Sequence, residues 1–312
     1  MQGAPASLAA LLAGAVDYAG LFPPASLVMS AAVDRYDRHR AGPHRVALGR
    51  FVVPASRLEE LAEAASALPV PSRAAGAAGR WPLSVLVSPP FDADWQRVVR
   101  FHERNAEGAH WLARVEAIEV KAAIPDEVWA AHRVASGVEL FVEVPTQPLP
   151  VALLDAVREA GGRAKARTGG ATPAAFPSSG HLAAWLAHCA SLRLPFKATA
   201  GLHHPMRADR PLPGGAGAPL VAMHGFLNLL IAAALLHHER IDNRTAAAVL
   251  DERDPGAFAF DDERAAWRGR TITASDLAAA RSFALGFGSC SFDEPIEDLA
   301  ALGLLAAAPP AS

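Results

Sequence analysis

Cysteine is scarce in this 312-residue sequence, and neither sign of charge is in large excess. The two cysteines, Cys189 and Cys290, are too few for a disulfide framework and show no zinc-finger spacing. A reducing cytoplasm is therefore the expected compartment. The formal net charge of −3 provides no basic field of the kind that attracts nucleic acid or an anionic membrane surface.

Targeting and nucleotide-binding signals are also missing. No lysine or arginine precedes Arg35, whereas a secretory signal begins with cationic residues. The longest apolar run, residues 226–236, is far shorter than the roughly 20 residues that cross a bilayer. The sequence contains no GxxxxGK[ST] motif, and no GxGxxG follows the first predicted strand. We therefore expect a cytoplasmic protein that needs no cofactor and binds neither nucleic acid nor membranes.

Short apolar segments alternate with alanine-rich amphipathic ones along a chain that is 51% hydrophobic. This alternation indicates parallel strands joined by helices. Eight strands in about 250 residues favour an α/β fold, a single (β/α)8 TIM barrel. We expect residues 1–45 to form an N-terminal helical extension and loop, and residues 46–312 to form the barrel. The predicted strands are residues 46–53, 82–88, 115–121, 138–144, 163–168, 195–199, 257–260 and 283–287.

Lysine is the rarest basic residue, with three among the 29 lysines and arginines. Lys121, Lys165 and Lys197 all fall at the carboxyl ends of predicted strands, where the active sites of TIM barrels form. Arginine stays protonated, whereas a lysine crowded by other cations can become a neutral nucleophile. The retention of lysine at these positions therefore predicts a reactive amine.

Period-two alternation extends this set to other side chains of the same strands. If the three lysines point into the barrel, the residues two positions away on the same strands point inward as well. These residues are Glu119, Arg167 and Thr199. With Glu143 on the fourth predicted strand, the charged groups carry an excess of two positive charges, which suits a carboxylate or phosphate substrate. The alternative is a ladder of ion pairs that only stabilises the barrel, although this does not explain why lysine survives only here.

Several further residues are candidates for contact with the substrate. Arg167, Thr168, Gly169 and Gly170 form a strand-end turn that suits an anion, or else an ordinary glycine turn. His203 and His204 are candidates for proton transfer or hydrogen bonding to substrate, for a structural role, or for a metal site completed by other residues. Ser289 and Ser291 suit an anion-binding turn, while the intervening Cys290 fits burial better than nucleophilic attack. Tyr18 is either a substrate contact at the mouth of the barrel or a packing residue.

Six phrases resemble a group of uncharacterised bacterial proteins over most of the chain. They read DYAGLFPPA, LGRFVVPA, KARTGG, FKATAGLHHP, MHGFLN and FGSCSFDEP. The layout is similar, more distantly, to the class I (Schiff-base) aldolases, TIM barrels whose reactive lysine lies on strand six. By the predicted strand count Lys197 matches that strand, and FKATAG resembles the KTSTG phrase of deoxyribose-phosphate aldolases. The sequence departs from that family in having no lysine on its predicted strand seven.

These observations predict a cofactor-free lyase, aldolase- or dehydratase-like, that acts on a small anionic carbonyl compound. Lys197 attacks the carbonyl to form an imine, Lys165 lowers the pKa of Lys197 or moves protons, and Glu143 is a general acid or base. Glu119 and Lys121 complete the catalytic set, and Arg167 with its glycines holds the anion. The alternatives are an isomerase that uses the same lysines for proton transfer, a metal-dependent hydrolase or lyase that uses His203 and His204, and a binding protein without turnover. A homo-oligomer is compatible with the buried or subunit-facing helix expected around residues 225–238.

Overall fold

Eight parallel strands close into a barrel in the computed structural model, which describes residues 1, 3–69, 80–106, 113–212 and 217–305. The strands follow one another around the barrel in chain order, and the last pairs with the first. The α/β prediction of a (β/α)8 TIM barrel is therefore confirmed. The barrel strands are β1 (Val16–Tyr18), β2 (Leu48–Pro54), β3 (Trp81–Leu86), β4 (Ala113–Lys121), β5 (Glu139–Val144), β6 (Arg163–Arg167), β7 (Phe196–Thr199) and β13 (Ala284–Ser289).

Helices cover the outside of the barrel and account for most of the alanine-rich segments. None of the helices in the described ranges has the length and apolar character needed to cross a membrane. In chain order they are α1 (Ala6–Leu12), α2 (Met29–Ala41), α3 (Leu58–Ser66), α4 (Phe91–Ala106), α5 (Pro125–Val134), α6 (Val151–Glu159), α7 (Ser179–Ser191), α8 (Phe226–His237), α9 (Asn243–Asp251), α10 (Ala274–Ala280) and α11 (Asp293–Ala301).

The hydrophobic core lies between the strands and the helices, and not inside the barrel. On β2, the ring of Phe51 lies 5.3 Å from that of Tyr36 on α2. On β13, Phe287 stacks on Phe226 of α8 with 4.9 Å between ring centroids. Because strand residues alternate in direction, the neighbours of these apolar residues face the barrel interior, which we call the lumen. The lumen thereby receives most of the charged residues of the strands, together with a few apolar ones such as Phe141, whose ring lies 4.9 Å from Nζ of Lys197.

The N-terminal segment belongs to the barrel, which differs from the helical extension expected over residues 1–45. Within that segment, β1 pairs with β13 on one side and with β2 on the other. The strand has only three residues, too few for a recognisable alternation of apolar and polar side chains. The same segment includes α1, which precedes β1, and α2, which follows it.

The predicted seventh strand, residues 257–260, lies outside the barrel. It forms β10 (Phe258–Phe260) in an antiparallel sheet with β11 (Arg264–Trp267) and β12 (Arg270–Thr273). An apolar run of this length does not by itself distinguish a barrel strand from a small external sheet. With β1 included and β10 excluded, Lys165 lies on the sixth barrel strand and Lys197 on the seventh. The predicted strand count had placed them on the fifth and sixth.

The segment after β7 contains a hairpin where the sequence indicates a long loop at residues 205–219. Its two strands are β8 (Ala208–Pro211) and β9 (Leu220–Met223). Residues 213–216, at the centre of the expected loop, lie outside the described residues. Loops of this length in a compact domain are often lids or binding loops, and such a role stays a prediction for this segment.

Removal of residues 1–45 should abolish folding, because it deletes β1 and leaves β2 and β13 with unpaired edges. We expect the truncated protein to aggregate and to show no cooperative thermal transition by circular dichroism. Deletion of residues 1–3, which precede α1, is the matched control and should leave the transition unchanged. A soluble, cooperatively unfolding protein that starts at residue 46 would contradict this assignment of β1.

Candidate functional site

The three lysines occupy one level of the barrel. Lys121 on β4 pairs in register with Glu143 on β5, which pairs with Lys165 on β6, and Lys165 pairs with Lys197 on β7. Lys121 ends its strand, whereas Lys165 and Lys197 each lie two residues before the end of theirs. The residues predicted from lysine scarcity and strand alternation are therefore brought together in space.

Lys165 is buried between two carboxylates. Its Nζ lies 2.9 Å from Oε2 of Glu119 and 2.8 Å from Oε2 of Glu143. Burial disfavours the ammonium form, but the two negative charges outweigh this effect and raise the pKa of Lys165. The amine therefore rests as a cation.

Lys197 contacts a carboxylate that the sequence did not indicate. Its Nζ lies 2.7 Å from Oδ2 of Asp17 and 2.5 Å from Oε1 of Glu119. The other oxygen of Asp17 accepts a hydrogen bond of 2.7 Å from the backbone N–H of Arg50. Asp17 escaped prediction because its strand, β1, has only three residues. The Asp-Tyr dipeptide was visible only as part of a loop-like phrase.

Glu119 connects the two buried lysines. Besides the ammonium groups of Lys165 and Lys197, it accepts a hydrogen bond of 2.5 Å from Oγ of Ser84 on β3. Burial favours the neutral acid, but the two lysine charges hold the pKa of Glu119 far below its ordinary value. Together these groups form a continuous chain of ion pairs, the lumenal network, which consists of Asp17, Lys197, Glu119, Lys165 and Glu143.

The electrostatics of this network differ from the predicted crowding of cations. Carboxylates alternate with ammonium groups, so each buried lysine has two negative partners. The pKa of Lys165 is consequently raised, and the two lysines are separated by carboxylates instead of crowding each other as the sequence argument required. The physical reason is that each carboxylate lies on a different strand from the lysine it contacts. The sequence alone does not show which residues of different strands are in contact.

Cationic side chains gather at the carboxyl end of the barrel, which we call the mouth. The side chains of Lys121 and Arg167 are 74% and 48% exposed. They approach the same oxygen of Glu143, with N···O distances of 3.5 and 3.9 Å. Burial favours protonation of Glu143, but the charge of Lys165, helped by Lys121 and Arg167, lowers its pKa. The mouth therefore offers positive charge to an incoming anion.

The turn after β6 is held by packing, which favours the ordinary-turn alternative for its glycines. The hydroxyl of Thr168 donates to the backbone carbonyls of Thr199 and Ala200, which ties β6 to β7. A Cβ on Gly169 would lie 2.9 Å from the Cα of Gly201, and one on Gly170 would lie 2.7 Å from the Cβ of Ala175. The close approach of the Gly201 backbone is sufficient to explain Gly169, and the nearby Ala175 side chain is sufficient to explain Gly170.

The adjacent histidines join a second polar cluster, between the segment after β7 and α11. His203 Nδ1 lies 3.3 Å from Glu294 Oε2 and 3.8 Å from Cys290 Sγ. His204 Nδ1 lies 2.5 Å from Asp298 Oδ2. Burial lowers the pKa of His203 and raises that of the Cys290 thiol, so neither group is activated as a charged species. In the described part of the chain, no three His, Cys, Asp or Glu side chains are arranged to hold a metal ion.

The remaining predicted contacts have local partners. Ser289 Oγ accepts a hydrogen bond from the backbone N–H of Ser291, and Ser291 Oγ accepts one from the N–H of Glu294 at the start of α11. Tyr18 does not face the lumen, because it packs against Tyr36 and Phe51 beneath α2. Burial raises the pKa of Tyr18 to about 12. The packing alternative therefore describes Tyr18 better than a substrate contact.

Two glycines of β13 pair with lumen-facing residues of β7. On β13, Gly286 and Gly288 alternate with the outward-facing Phe287 and so occupy the inward positions. They pair in register with Lys197 and Thr199. A Cβ at Gly288 would lie 3.1 Å from Oγ1 of Thr199, which shows that this part of the strand faces the same space as Thr199.

The sequence matches no protein-family model and no curated protein. Among solved structures, it is similar to dihydropteroate synthase of Xanthomonas albilineans in complex with indole-2-carboxylic acid and 6-chloroguanine. The identity is 13% over 96% of each chain, with a TM-score of 0.26. The same enzyme with 4-aminobenzoic acid gives 14% identity over 99% of this chain and 100% of that chain, with a TM-score of 0.26. Likenesses this weak carry no argument about activity, and the resemblance to uncharacterised bacterial proteins stays a prediction.

Replacement of Glu119 by Gln should lower the free energy of unfolding by about 3 kcal/mol, because it leaves two buried ammonium groups short of negative charge. The matched control is Glu116→Gln, whose half-exposed carboxylate pairs with Arg50, and it should cost less than about 1 kcal/mol. Urea denaturation at neutral pH measures both. Equal losses in the two variants would contradict the special position of Glu119.

Glu119 should also make the free energy of unfolding sensitive to acid. Its pKa is depressed in the folded protein, so its stabilising effect is complete above the ordinary value of 4.5 and is lost as the pH falls below it. The unfolding free energy should therefore fall less steeply in Glu119→Gln than in the wild type between about pH 5 and about pH 3. Parallel curves for the two proteins would show that Glu119 is not held as a carboxylate.

Proposed function

We propose that the protein is a cofactor-free lyase that acts through a lysine imine on a small anionic carbonyl compound. The observation that carries this proposal is the pair of buried lysines on adjacent barrel strands, joined by the single carboxylate of Glu119. A purely structural ion pair would be served equally well by arginine, which supplies nearly all other cations of the chain. Arginine cannot form an imine.

Lys165 is the better candidate for the nucleophile. It lies on the sixth barrel strand, the position of the reactive lysine in the Schiff-base aldolases that the layout resembles. Lys197, the nucleophile predicted from the sequence, lies on the seventh barrel strand. The chain therefore has a lysine on strand seven, and its predicted difference from the deoxyribose-phosphate aldolases disappears. Lys165 also contacts Glu143, which in turn approaches the exposed cations of the mouth.

The imine step requires proton movements that the network can supply. Lys165 first loses a proton, for which Glu119 and Glu143 are acceptors within 2.9 Å of its Nζ. The free amine then attacks the substrate carbonyl carbon, and the carbonyl oxygen leaves as water after protonation. The resulting iminium withdraws electrons from the adjacent C–C or C–H bond, and hydrolysis returns the amine. Glu143 is placed to act as general acid and base in these transfers.

The anionic end of the substrate is assigned to the mouth. Lys121 and Arg167 are the exposed cations there, and both approach Glu143. Arginine can bind a carboxylate or phosphate through two parallel hydrogen bonds. A substrate anion at this position would lie beside the lumenal network, with its carbonyl directed towards Lys165.

Borohydride trapping tests the proposal directly. The protein is incubated with aldehydes and 2-keto acids, with and without phosphate groups, reduced, and examined by intact mass and peptide mapping. We expect one adduct on Lys165, absent in Lys165→Arg and retained in the control Lys121→Arg. Because the pKa of Lys165 is raised, the trapping rate should increase about tenfold per pH unit until that pKa is reached.

Turnover of the Lys165→Arg variant is the measurement that can exclude the imine. Turnover of a substrate found in the same panel should disappear in Lys165→Arg, since arginine keeps the charge but has no nucleophilic amine. Full turnover in this variant would rule out an imine on Lys165. An adduct on Lys197 alone would restore the residue assignment made from the sequence.

A second candidate, an isomerase, is favoured by the raised pKa of Lys165. A permanently charged Lys165 can stabilise an enolate as a hydrogen-bond donor while Glu143 transfers the proton. This reaction would proceed without a borohydride adduct and would tolerate Lys165→Arg in part. The two candidates are therefore separated by the trapping experiment together with the turnover of that one variant.

A further inference from the structure

A cavity opens at the amino-terminal end of the barrel, opposite the mouth. Its volume is about 290 Å³, at the lower limit for small-molecule sites. We call it the basal cavity. Its walls come from the turn between α1 and β1 and from the first residues of several strands, and they include Arg50, Glu116, Glu139, Phe141, Arg281 and Leu285. The cavity also reaches Asp17 and Lys197, at one end of the lumenal network.

Most charges around the basal cavity are paired with one another. Arg50 lies 3.2 Å from Glu116 and 2.9 Å from Glu139. Arg163 lies 2.9 Å from the other oxygen of Glu139. These two arginines and two glutamates neutralise each other, so they leave no net charge for a ligand.

Arg281 is the exception. Its guanidinium donates hydrogen bonds to the backbone carbonyls of Ala13, Ala284 and Leu285. Within the described residues, no carboxylate forms a salt bridge with it. Burial lowers the pKa of Arg281 to about 10, an effect that Asp17 offsets only in part. A half-buried cation with no carboxylate in direct contact is unfavourable, and an anion placed beside it would relieve that cost.

We propose that the basal cavity binds the carboxylate group of a small organic acid, with Arg281 as its counterion. Four of the five N–H groups of Arg281 donate to backbone carbonyls, so the carboxylate accepts the remaining N–H of Nη1 and neutralises the positive charge. Phe141 and Leu285 provide apolar contact for the carbon atoms of the acid. This site is separate from the anion position assigned to the mouth, and it does not require imine chemistry. Because Lys197 and Asp17 form its wall, an anion bound here acts on the charges of the lumenal network.

Propionate is a suitable probe, because it has a carboxylate but no ketone or aldehyde that could react with a lysine. Isothermal titration calorimetry should show saturable binding to the wild type. Arg281→Gln should weaken this binding ~10-fold or more, the effect expected from loss of a charged hydrogen bond. Leu285→Trp should weaken it comparably by filling the cavity while keeping Arg281. Arg104→Gln, whose 68% exposed side chain on α4 pairs with Glu59, is the matched control and should bind propionate as the wild type does, whereas Arg167→Gln reports any binding at the mouth.

The variants also protect the test against a failure to fold. Arg281 donates hydrogen bonds to three backbone carbonyls, so the thermal transition of Arg281→Gln is measured first. If Arg281→Gln is unfolded, the test rests on Leu285→Trp. Absence of saturable binding to the wild type would overturn the proposal. So would unchanged binding in both basal variants with loss in Arg167→Gln. A negative borohydride experiment leaves this result unaffected, so failure of the two proposals can be distinguished.

Discussion

The contact of one carboxylate with two ammonium groups organises the interior of this barrel. Glu119 lies between Lys165 and Lys197, and each of these lysines has a second carboxylate, Glu143 or Asp17, on its far side. None of these charges is favourable in a buried site alone, because desolvation costs several kcal/mol for each ion. The five groups are stable together only while all are present. This mutual dependence couples four strands of the lumen to β1, the shortest strand of the barrel.

The charged lumen also explains where the hydrophobic core must lie. Apolar residues such as Phe51 and Phe287 point outward, and they pack against α2 and α8. The helix layer therefore supplies the favourable burial that offsets the cost of placing ions inside the barrel. In this division of roles, stability comes from the outer interface, while the interior is free to carry chemistry.

Much of this arrangement could be predicted from the sequence, and the parts that could not have identifiable physical causes. The rarity of lysine and the alternation of strand residues were enough to predict that four residues lie together at one level of the barrel. These residues are Lys121, Glu143, Lys165 and Lys197. Asp17 was missed because three residues carry no periodic signal. The predicted crowding of cations is replaced by ion pairs, because the carboxylates that separate the lysines come from other strands and the sequence does not show which of these residues are in contact.

The strand count failed for a related reason. Residues 257–260 have the apolar composition of a barrel strand, yet they pair with β11 in a separate antiparallel sheet. Local composition determines that a segment is extended, whereas its partner is chosen by tertiary packing. The omission of β1, which precedes both lysines in the chain, moved each of them by one strand and so changed which of them corresponds to the aldolase position.

The two glycines of β13 have a consequence for the geometry of any reaction at the lysines. Gly286 and Gly288 leave β13 without side chains at the two positions that pair with Lys197 and Thr199, while the ionisable groups of the network come from β1, β4, β5, β6 and β7. A planar intermediate placed against these two glycines would have one face towards the backbone and the other towards the proton donors. Bond formation and protonation would then take place on a single face. The absence of two side chains would fix the handedness of a product.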